Sequence, residues 1–326
     1  MVLMVERDFE PAFFRIDAMA ANRKHVVILP HFCEEEVDRY LQIAALLKSW
    51  PRPKVEIDFL LAASPKREPS QRLADTYREL GKVIPFQCPT QIFGYPEGPG
   101  AMFWDCMEYV EQHYGGNDGF SLWLESDMCP TQDNWIDHLS DTWHAGPQRP
   151  IIMGCYVPEV YKHRVFRKPK LILDPHINGG ACYAMNFASQ MPPEAREGVF
   201  DMAVYRFAAE KGLARECRAI AFSTTERVRR DLLDPSKVLL HGFMQEKDRF
   251  IDSCVTPLSE QELKNTKWAA IQDQLESTRR KLRVWKVRKG KQAMLENMFL
   301  AKQRHEAETP SPAPAIAAKL ASTKAA

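Results

Sequence analysis

The chain has 326 residues, which is enough for one large domain or two modest ones. Its 44 basic and 43 acidic residues leave a formal net charge of +1, so the overall charge does not favour a nucleic-acid binder. The eight cysteines are scattered without a Cys-x-x-Cys pair, which disfavours a disulfide scaffold or a clustered zinc site. We therefore expect reduced cysteines and a cytosolic compartment.

The sequence also lacks the features of a membrane-inserted or secreted protein. It has no run of about 18 apolar residues that would predict a transmembrane helix. Residues 1–22 contain several acids and lack the basic start and continuous apolar stretch of a signal peptide. We expect a soluble cytoplasmic protein, or one bound peripherally at the inner face of the membrane.

Short apolar runs alternate with helical periodicity in the first half of the chain. Strands are predicted at 24–30, 55–62, 82–86 and 120–124, and helices at 34–50, 72–80 and 102–114. This alternation predicts an α/β fold with a mostly parallel sheet flanked by helices. Ligands of such sheets bind at the carboxyl ends of the strands, so the residues that follow each strand are the first candidates for a site.

The second half is less regular and ends in a polar, basic region. Strands are predicted at 151–156, 180–185 and 238–240, and a helix at 200–211. Residues 261–305 are helix-prone and include the basic stretch Arg279–Lys291, and the Pro/Ala-rich end is predicted to be disordered. The predicted organisation is a lead-in at 1–22, a main domain at 23–255, a basic helical extension at 256–306 and a disordered tail at 307–326.

Two carboxylates directly follow the fourth predicted strand, in Glu125-Ser126-Asp127. Mg²⁺ and Mn²⁺ prefer carboxylate oxygens, and a bound ion can neutralise the charge of a diphosphate leaving group. His241 ends the last predicted strand and can add an imidazole to a manganese site, while Lys247 can pair with a phosphate. Solvated acids at a strand end and an ordinary structural histidine are the alternative interpretations.

Two glycine-containing segments are further candidates. In Asn178-Gly179-Gly180, the glycines allow a ligand to approach the backbone, and the amide can hydrogen-bond to sugar hydroxyls. The segment from Gly94 through Pro96 to Gly98 leads into a helix, where backbone N–H groups can bind an anion. An ordinary turn and a plain surface loop are the respective alternatives.

In this order, the four segments resemble the GT-A class of nucleotide-sugar-dependent glycosyltransferases over roughly residues 24–250. Glu125-Ser126-Asp127 resembles the Asp-x-Asp motif of that class with glutamate first, and His241-Gly242 resembles its late metal-binding histidine. Gly94–Pro99 is similar to a loop of some bacterial members. The resemblance implies a GT-A (Rossmann-like) domain at 23–255. It also implies Mn²⁺ or Mg²⁺, a nucleotide-diphosphate sugar as donor, and a glycan, lipid or other hydroxyl acceptor.

The resemblance also implies a role for each matched residue. Asp127 would bind the metal directly, Glu125 would bind it through water or hold the ribose, and His241 would be the third ligand. Lys247 would contact the diphosphate, and Asn178, Gly179 and Gly180 would line the sugar and acceptor pocket. Pro30, His31, Ala63 and Ser64 would border the nucleotide. A hexosyltransferase of polysaccharide biosynthesis is the class that fits this pattern.

The stereochemical outcome is left open by the sequence. An inverting transferase needs a general base near the acceptor hydroxyl, for which Asp201 is the first candidate and Asp174 the second. Asp201 would also suit a helix N-cap, where aspartate is favoured. A retaining enzyme would not need this base in the same role.

Two other functions compete with glycosyl transfer. A nucleotidyltransferase can share the fold, but the first strand is not followed by a Gly-rich loop with a Lys or Arg after it. A non-enzymatic protein could bind RNA or an anionic surface through Arg279–Lys291, although nucleic acid is disfavoured by the charge balance. In a transferase, the same stretch would contact a membrane or a partner enzyme.

Overall fold

The structure is a computed structural model that describes residues 23–157, 160–164, 167–197, 199–222, 230, 233–242, 247–255, 259, 261 and 264–265. The predicted lead-in 1–22, the basic stretch Arg279–Lys291 and the tail 307–326 lie outside these residues and stay predictions. The chain divides into two compact units, Met1–Lys162 with Pro169–Leu258, and His163–Lys168 with Ser259–Ala326. Every candidate site residue belongs to the first unit.

The helices and strands follow one another as the alternating pattern predicts. The strands are β1 (Lys24–His31), β2 (Glu56–Ala63), β3 (Lys82–Gln87), β4 (Phe120–Trp123), β5 (Cys129–Pro130), β6 (Ile152–Val157), β7 (Val160–Arg164), β8 (Arg167–Leu173), β9 (His176–Ala184), β10 (Ala214–Glu216), β11 (Ile220–Phe222) and β12 (Leu239–His241). The helices are α1 (Glu34–Lys48), α2 (Gln71–Tyr77), α3 (Glu97–Tyr114), α4 (Trp135–His144), α5 (Phe187–Gln190), α6 (Phe200–Glu210) and α7 (Lys247–Val255), with a 3-10 turn at Pro193–Arg196.

A seven-stranded sheet in the order β10-β6-β9-β4-β1-β2-β3 forms the centre of the first unit. Strands β3, β2, β1 and β4 are parallel neighbours, whereas β9 is antiparallel to both β4 and β6. The predicted mostly parallel sheet is therefore confirmed, and the bounds predicted for its first four strands are right to within one residue. Parallel strands are buried on both faces, which makes them continuous apolar runs that a sequence reveals.

Helices cover both faces of this sheet, as predicted. Val27 and Leu29 of β1 pack into one apolar cluster with α1, α2 and α4. Val26 and Ile28 point to the opposite face and pack with α3, α5 and α6, where Phe103 is fully buried. This alternation follows from the two-residue period of a strand.

Two predicted boundaries are wrong, because a helix and a strand each extend through a glycine-containing segment that was predicted to lie outside them. Helix α3 begins at Glu97, not at 102, so Gly98 lies in a first helical turn and not in a loop. Proline is tolerated in a first turn, so Pro99 does not prevent this start. Strand β9 begins at His176 and includes the predicted turn Asn178–Gly180, which lies between the pairs Ile177–Tyr156 and Ala181–Gly154, where the register with β6 shifts.

The Tyr40 hydroxyl joins the ends of two central strands, and its removal should cost stability. It lies 2.9 Å from Pro30 O and 2.8 Å from Leu124 O, and the ring is fully buried. Tyr40→Phe leaves these buried carbonyls without that donor, so we expect a loss of about 1–3 kcal/mol in the free energy of unfolding. Urea unfolding measures it. The control Tyr95→Phe, at a ring that is 84% exposed, should change little. Equal stabilities of the two variants would contradict this role of Tyr40.

Within the residues that the structure describes, no helix combines the length and the apolar character needed to cross a membrane.

Candidate active site

The acidic segment leaves the carboxyl end of β4 in a tight turn. Leu124 donates its backbone N–H to Ile28 O at 3.0 Å, so β1 holds the chain until one residue before Glu125. The Met128 N–H then donates to Glu125 O at 2.9 Å and closes the turn. Both carboxylates therefore project from a backbone that the central sheet fixes.

A second, smaller sheet brings His241 to this turn. Strand β5 pairs antiparallel with β12, with Cys129 opposite Leu240 and Pro130 opposite Leu239. The next residues along the two chains are His241 and Met128, the residue that closes the acidic turn. The pairing of the two-residue strand β5 with β12 thus brings His241 to Glu125, although the two residues are more than 100 positions apart in sequence.

Glu125, Asp127 and His241 converge on one point. The Nε2 atom of His241 lies 2.8 Å from Glu125 Oε2 and 3.5 Å from Asp127 Oδ1. One ligand atom from each of the three lies within 4.8 Å of the others. The two carboxylates are partly exposed, while the imidazole is 3% exposed, so the buried histidine forms the floor of an open, acidic site.

The donor set fits a divalent cation. Two adjacent ligands of an octahedral ion at about 2.1 Å lie roughly 3.0 Å apart, close to the separations seen between His241 and the two carboxylates. Carboxylate oxygens suit both Mg²⁺ and Mn²⁺, and the imidazole nitrogen favours Mn²⁺. Among the described residues, no other group of three His, Cys, Asp or Glu side chains comes this close together.

The acidic neighbours change the proton affinity of His241. Burial by itself lowers the pKa of His241, but the hydrogen bond to Glu125 and the charges of Glu125 and Asp127 outweigh it, so the pKa lies above its ordinary value. Below this raised pKa, the metal-free ring is a cation beside the two carboxylates. A metal must displace that proton before it can bind Nε2.

The metal-free protein should therefore lose stability as the pH rises. The ordinary pKa of histidine is about 6.5, so the His241 contribution is complete below pH 6.5 and disappears as the pH rises through the higher folded pKa. In EDTA we expect the melting temperature of the wild type to fall relative to His241→Asn across this window. Mn²⁺ should bind more tightly at the upper end of it. A difference between the two proteins that does not change with pH would contradict the assignment.

Gly179 and Gly180 lie against the cluster, which explains the glycine pair. A Cβ atom on Gly180 would lie 2.4 Å from Met128 Sδ and 3.0 Å from both Cε1 and Nδ1 of His241. A Cβ atom on Gly179 would lie 3.0 Å from Glu125 Oε1. The segment lies beside these side chains in strand β9, and its predicted part in lining a sugar and acceptor pocket stays a prediction. Asn178 is the preceding residue and is partly buried.

Asp201 lies in the first turn of α6, with its side chain 16% exposed. Burial raises the pKa of this carboxyl, and the charge of Glu125 raises it further, while His176 opposes the shift. Asp201 is not the N-cap, which is Val199. The second predicted base, Asp174, is instead 42% exposed and pairs with Arg206 at 3.5 Å.

The residues predicted to border a nucleotide lie at the adjoining ends of β1 and β2. His31 is the register partner of Ala63, and the Ser64 N–H donates to His31 O at 3.1 Å. The His31 ring is 1% exposed, with Nδ1 3.1 Å from Leu29 O and no partner at Nε2. Burial lowers the pKa of His31, so this ring stays neutral to a lower pH than an ordinary histidine. The Pro30 carbonyl accepts a hydrogen bond from the Tyr40 hydroxyl, and the proline side chain has no polar group.

Two other predicted contacts are not tested by the described residues. Gly94, Pro96 and Gly98 follow β3, which is the edge strand of the sheet and lies three strands from β4, and they are not among the residues seen to contact the cluster. Lys247 is the first residue of α7, and its side chain lies outside the described residues. Its predicted contact with a diphosphate stays a prediction.

Sequence reasoning gave no role to His176, which lies beside Asp201. The only signal was its position two residues before Asn178, in a segment chosen for its glycines.

No protein family and no curated protein matches this chain. Solved structures do, at low similarity. One is a 4-diphosphocytidyl-2C-methyl-D-erythritol synthase, with 9% identity and a TM-score of 0.39 over 60% of this chain and 87% of that one. Another is the galactosyltransferase LgtC with donor and acceptor sugar analogues, with 12% identity and a TM-score of 0.41 over 73% of this chain and 98% of that one. A third is the bifunctional glycosyltransferase WbbM, with 9% identity and a TM-score of 0.45 over 79% of this chain and 52% of that one. Likenesses with TM-scores below 0.5 do not decide a function, which rests on the side chains of the site.

Proposed function

We propose that this chain is a GT-A-class glycosyltransferase that moves a sugar from a nucleotide-diphosphate sugar to an acceptor hydroxyl. Glu125, Asp127 and His241 would hold Mn²⁺ or Mg²⁺ at the diphosphate. The observation that supports this most is their convergence at the carboxyl edge of a mostly parallel sheet, where α/β proteins bind ligands. A hexose as the transferred sugar and a role in polysaccharide biosynthesis belong to the same proposal.

The cation, when bound, would supply charge neutralisation for the diphosphate as the bond from the sugar to the phosphate breaks. The chain contributes the rest. Glu125 and Asp127 are partly exposed, so they can meet a ligand that enters from solvent. His241 is fixed by burial between Gly180 and the acidic turn, so it limits how far the two carboxylates can move.

Strands β1 and β2 offer a place for the nucleotide beside this site. Strand β1 is the direct neighbour of β4, so His31 and Ser64 share the carboxyl edge with the acidic turn. The buried Nε2 of His31 has no protein partner, and a hydrogen-bonding group of a nucleotide would satisfy it. We assign the same border to Pro30 and Ala63.

Asp201 is the group that would activate the acceptor. A general base works best when its pKa is close to the working pH, and burial raises the pKa of Asp201 in that direction. Attack by a hydroxyl deprotonated in this way would invert the configuration at the anomeric carbon. Asp174 is less suited because it is paired with Arg206 near the surface.

The test is nucleotide release from a panel of donors. Purified full-length protein is incubated with UDP-glucose, UDP-galactose, UDP-N-acetylglucosamine and GDP-mannose, with Mn²⁺, Mg²⁺ or EDTA. We expect release of UDP or GDP from at least one donor, and none in EDTA. Pyrophosphate release from a nucleoside triphosphate and a sugar phosphate, without diphosphate release from any donor, would favour a nucleotidyltransferase and contradict the proposal.

A further inference from the structure

His176 is held in one orientation at the start of β9. Its ring is 7% exposed, and Nδ1 lies 2.8 Å from Asp174 O. A carbonyl oxygen only accepts hydrogen bonds, so Nδ1 carries a hydrogen and donates it. The other ring nitrogen, Nε2, then faces Asp201 Oδ2 at 3.7 Å.

This orientation determines how many protons the pair holds. With its hydrogen on Nδ1, a neutral imidazole presents a lone pair at Nε2, and an ionised carboxylate also presents lone pairs. The two attract each other only when one proton is added to the pair. Asp201 can act as a base only in the form in which that proton is on His176.

The carboxylate of Asp201 is held on its other side as well. Its Oδ1 accepts the Met202 N–H at 2.8 Å. The preceding residue, Phe200, is stacked on Phe103 with ring centroids 4.2 Å apart and an interplanar angle of 18°. The Met202 N–H, the packing of Phe200 and the His176 ring thus hold the Asp201 carboxylate near Glu125. An acid that contacts only solvent would have none of these contacts.

We propose that His176 is the positioning residue of Asp201, which it orients so that Asp201 can act as general base. This inference rests on the proposed function. In the step, the acceptor hydroxyl transfers its proton to Asp201 while its oxygen bonds to the anomeric carbon. The bond from that carbon to the diphosphate oxygen breaks, and the diphosphate leaves with the electron pair. The proton then leaves Asp201 to solvent.

The kinetic test compares His176→Ala, His176→Gln and Asp201→Asn. We expect His176→Ala to lower kcat for diphosphate release from the donor that the wild type uses by about 10–100-fold, with KM for that donor unchanged. His176→Gln should restore part of the loss, because its amide N–H can donate to Asp201. The double variant His176→Ala/Asp201→Asn should be no slower than Asp201→Asn, since the two residues act as a unit.

The control is His113→Gln. His113 makes the same kind of contact, with Nδ1 2.8 Å from Tyr109 O, but on an exposed part of α3. Its replacement should leave kcat and KM unchanged. Unchanged kcat in His176→Ala, in a protein whose wild type releases diphosphate, would overturn the role of His176 and leave the proposed function standing. Absence of both turnover and metal-dependent binding of UDP or GDP in the wild type would overturn both.

Nitrogen-15 NMR of the histidine rings tests the pair without turnover. In the wild type we expect the His176 signals of a ring protonated at Nδ1, and Asp201→Asn should shift its Nε2 signal but not that of His113. A neutral His176 ring with its hydrogen on Nε2 alone would overturn the proposal. If His176→Ala fails to fold, His176→Gln and this spectrum still decide the question.

Discussion

Asp127→Ala is expected to lower diphosphate release from the donor by about 10²–10³-fold or more, the range seen when one group that stabilises transition-state charge is removed. The Asp127 carboxylate lies 3.5 Å from His241 Nε2 and is 23% exposed, so its loss removes a metal ligand without opening the core. The melting temperature in EDTA should change little. Turnover in Mn²⁺ buffer and a thermal melt of the same sample measure both quantities.

A surface acid provides the control for Asp127→Ala. Asp141 is 79% exposed and pairs with Arg23 at 3.4 Å, and such pairs contribute little. Asp141→Ala should keep full turnover. If Asp127→Ala and His241→Ala both kept full turnover in metal-containing buffer, the metal site would be assigned to the wrong residues.

Gly180→Ala should disrupt the same site through steric overlap with residues that support it. The new methyl group would lie 2.4 Å from Met128 Sδ and 3.0 Å from the His241 ring, and overpacking of this kind costs about 1–3 kcal/mol. Movement of the Met128 side chain would break the contact in which the Glu125 backbone N–H donates to its Sδ at 3.3 Å. We expect weaker Mn²⁺ binding, measured by electron paramagnetic resonance of free Mn²⁺, together with lower stability in urea.

Gly116→Ala is the matched control, since a Cβ atom there would have nothing within 4 Å. This variant should bind Mn²⁺ like the wild type. Mn²⁺ binding by Gly180→Ala that equals that of Gly116→Ala would show that His241 and Glu125 can shift without loss of the site, against the close packing described here.

The sequence predicted the structure best where the signal lies within a single buried strand. The buried runs of β1, β2 and β4 carry their own signal, because burial on both faces favours apolar residues at most positions. The buried polar exceptions are His25, His31, Asp58 and Ser121. Glu125 and Asp127 were found as acids that follow such a run. His241 was found as the end of a short one, and its contact with Glu125 is seen in the structure.

The rest depends on pairings that the local sequence does not encode. Gly179-Gly180 reads as a turn, but the pair lies within β9, between Ile177 and Ala181, which both pair with β6. Gly98 reads as a loop, although the helix already begins at Glu97. His176 and Asp201 are 25 positions apart, and only the packing of α6 on β9 brings them together.

The most direct test of the metal-dependent donor site is a thermal-shift titration with UDP, GDP, ADP and CDP, with and without Mn²⁺, on the wild type and Asp127→Ala. A ligand that binds only the folded state raises the melting temperature by mass action. We expect one diphosphate to raise it in the wild type only when Mn²⁺ is present, and none to do so in Asp127→Ala. No shift with any diphosphate in the folded wild type, or an equal shift in Asp127→Ala, would contradict the assignment of this site.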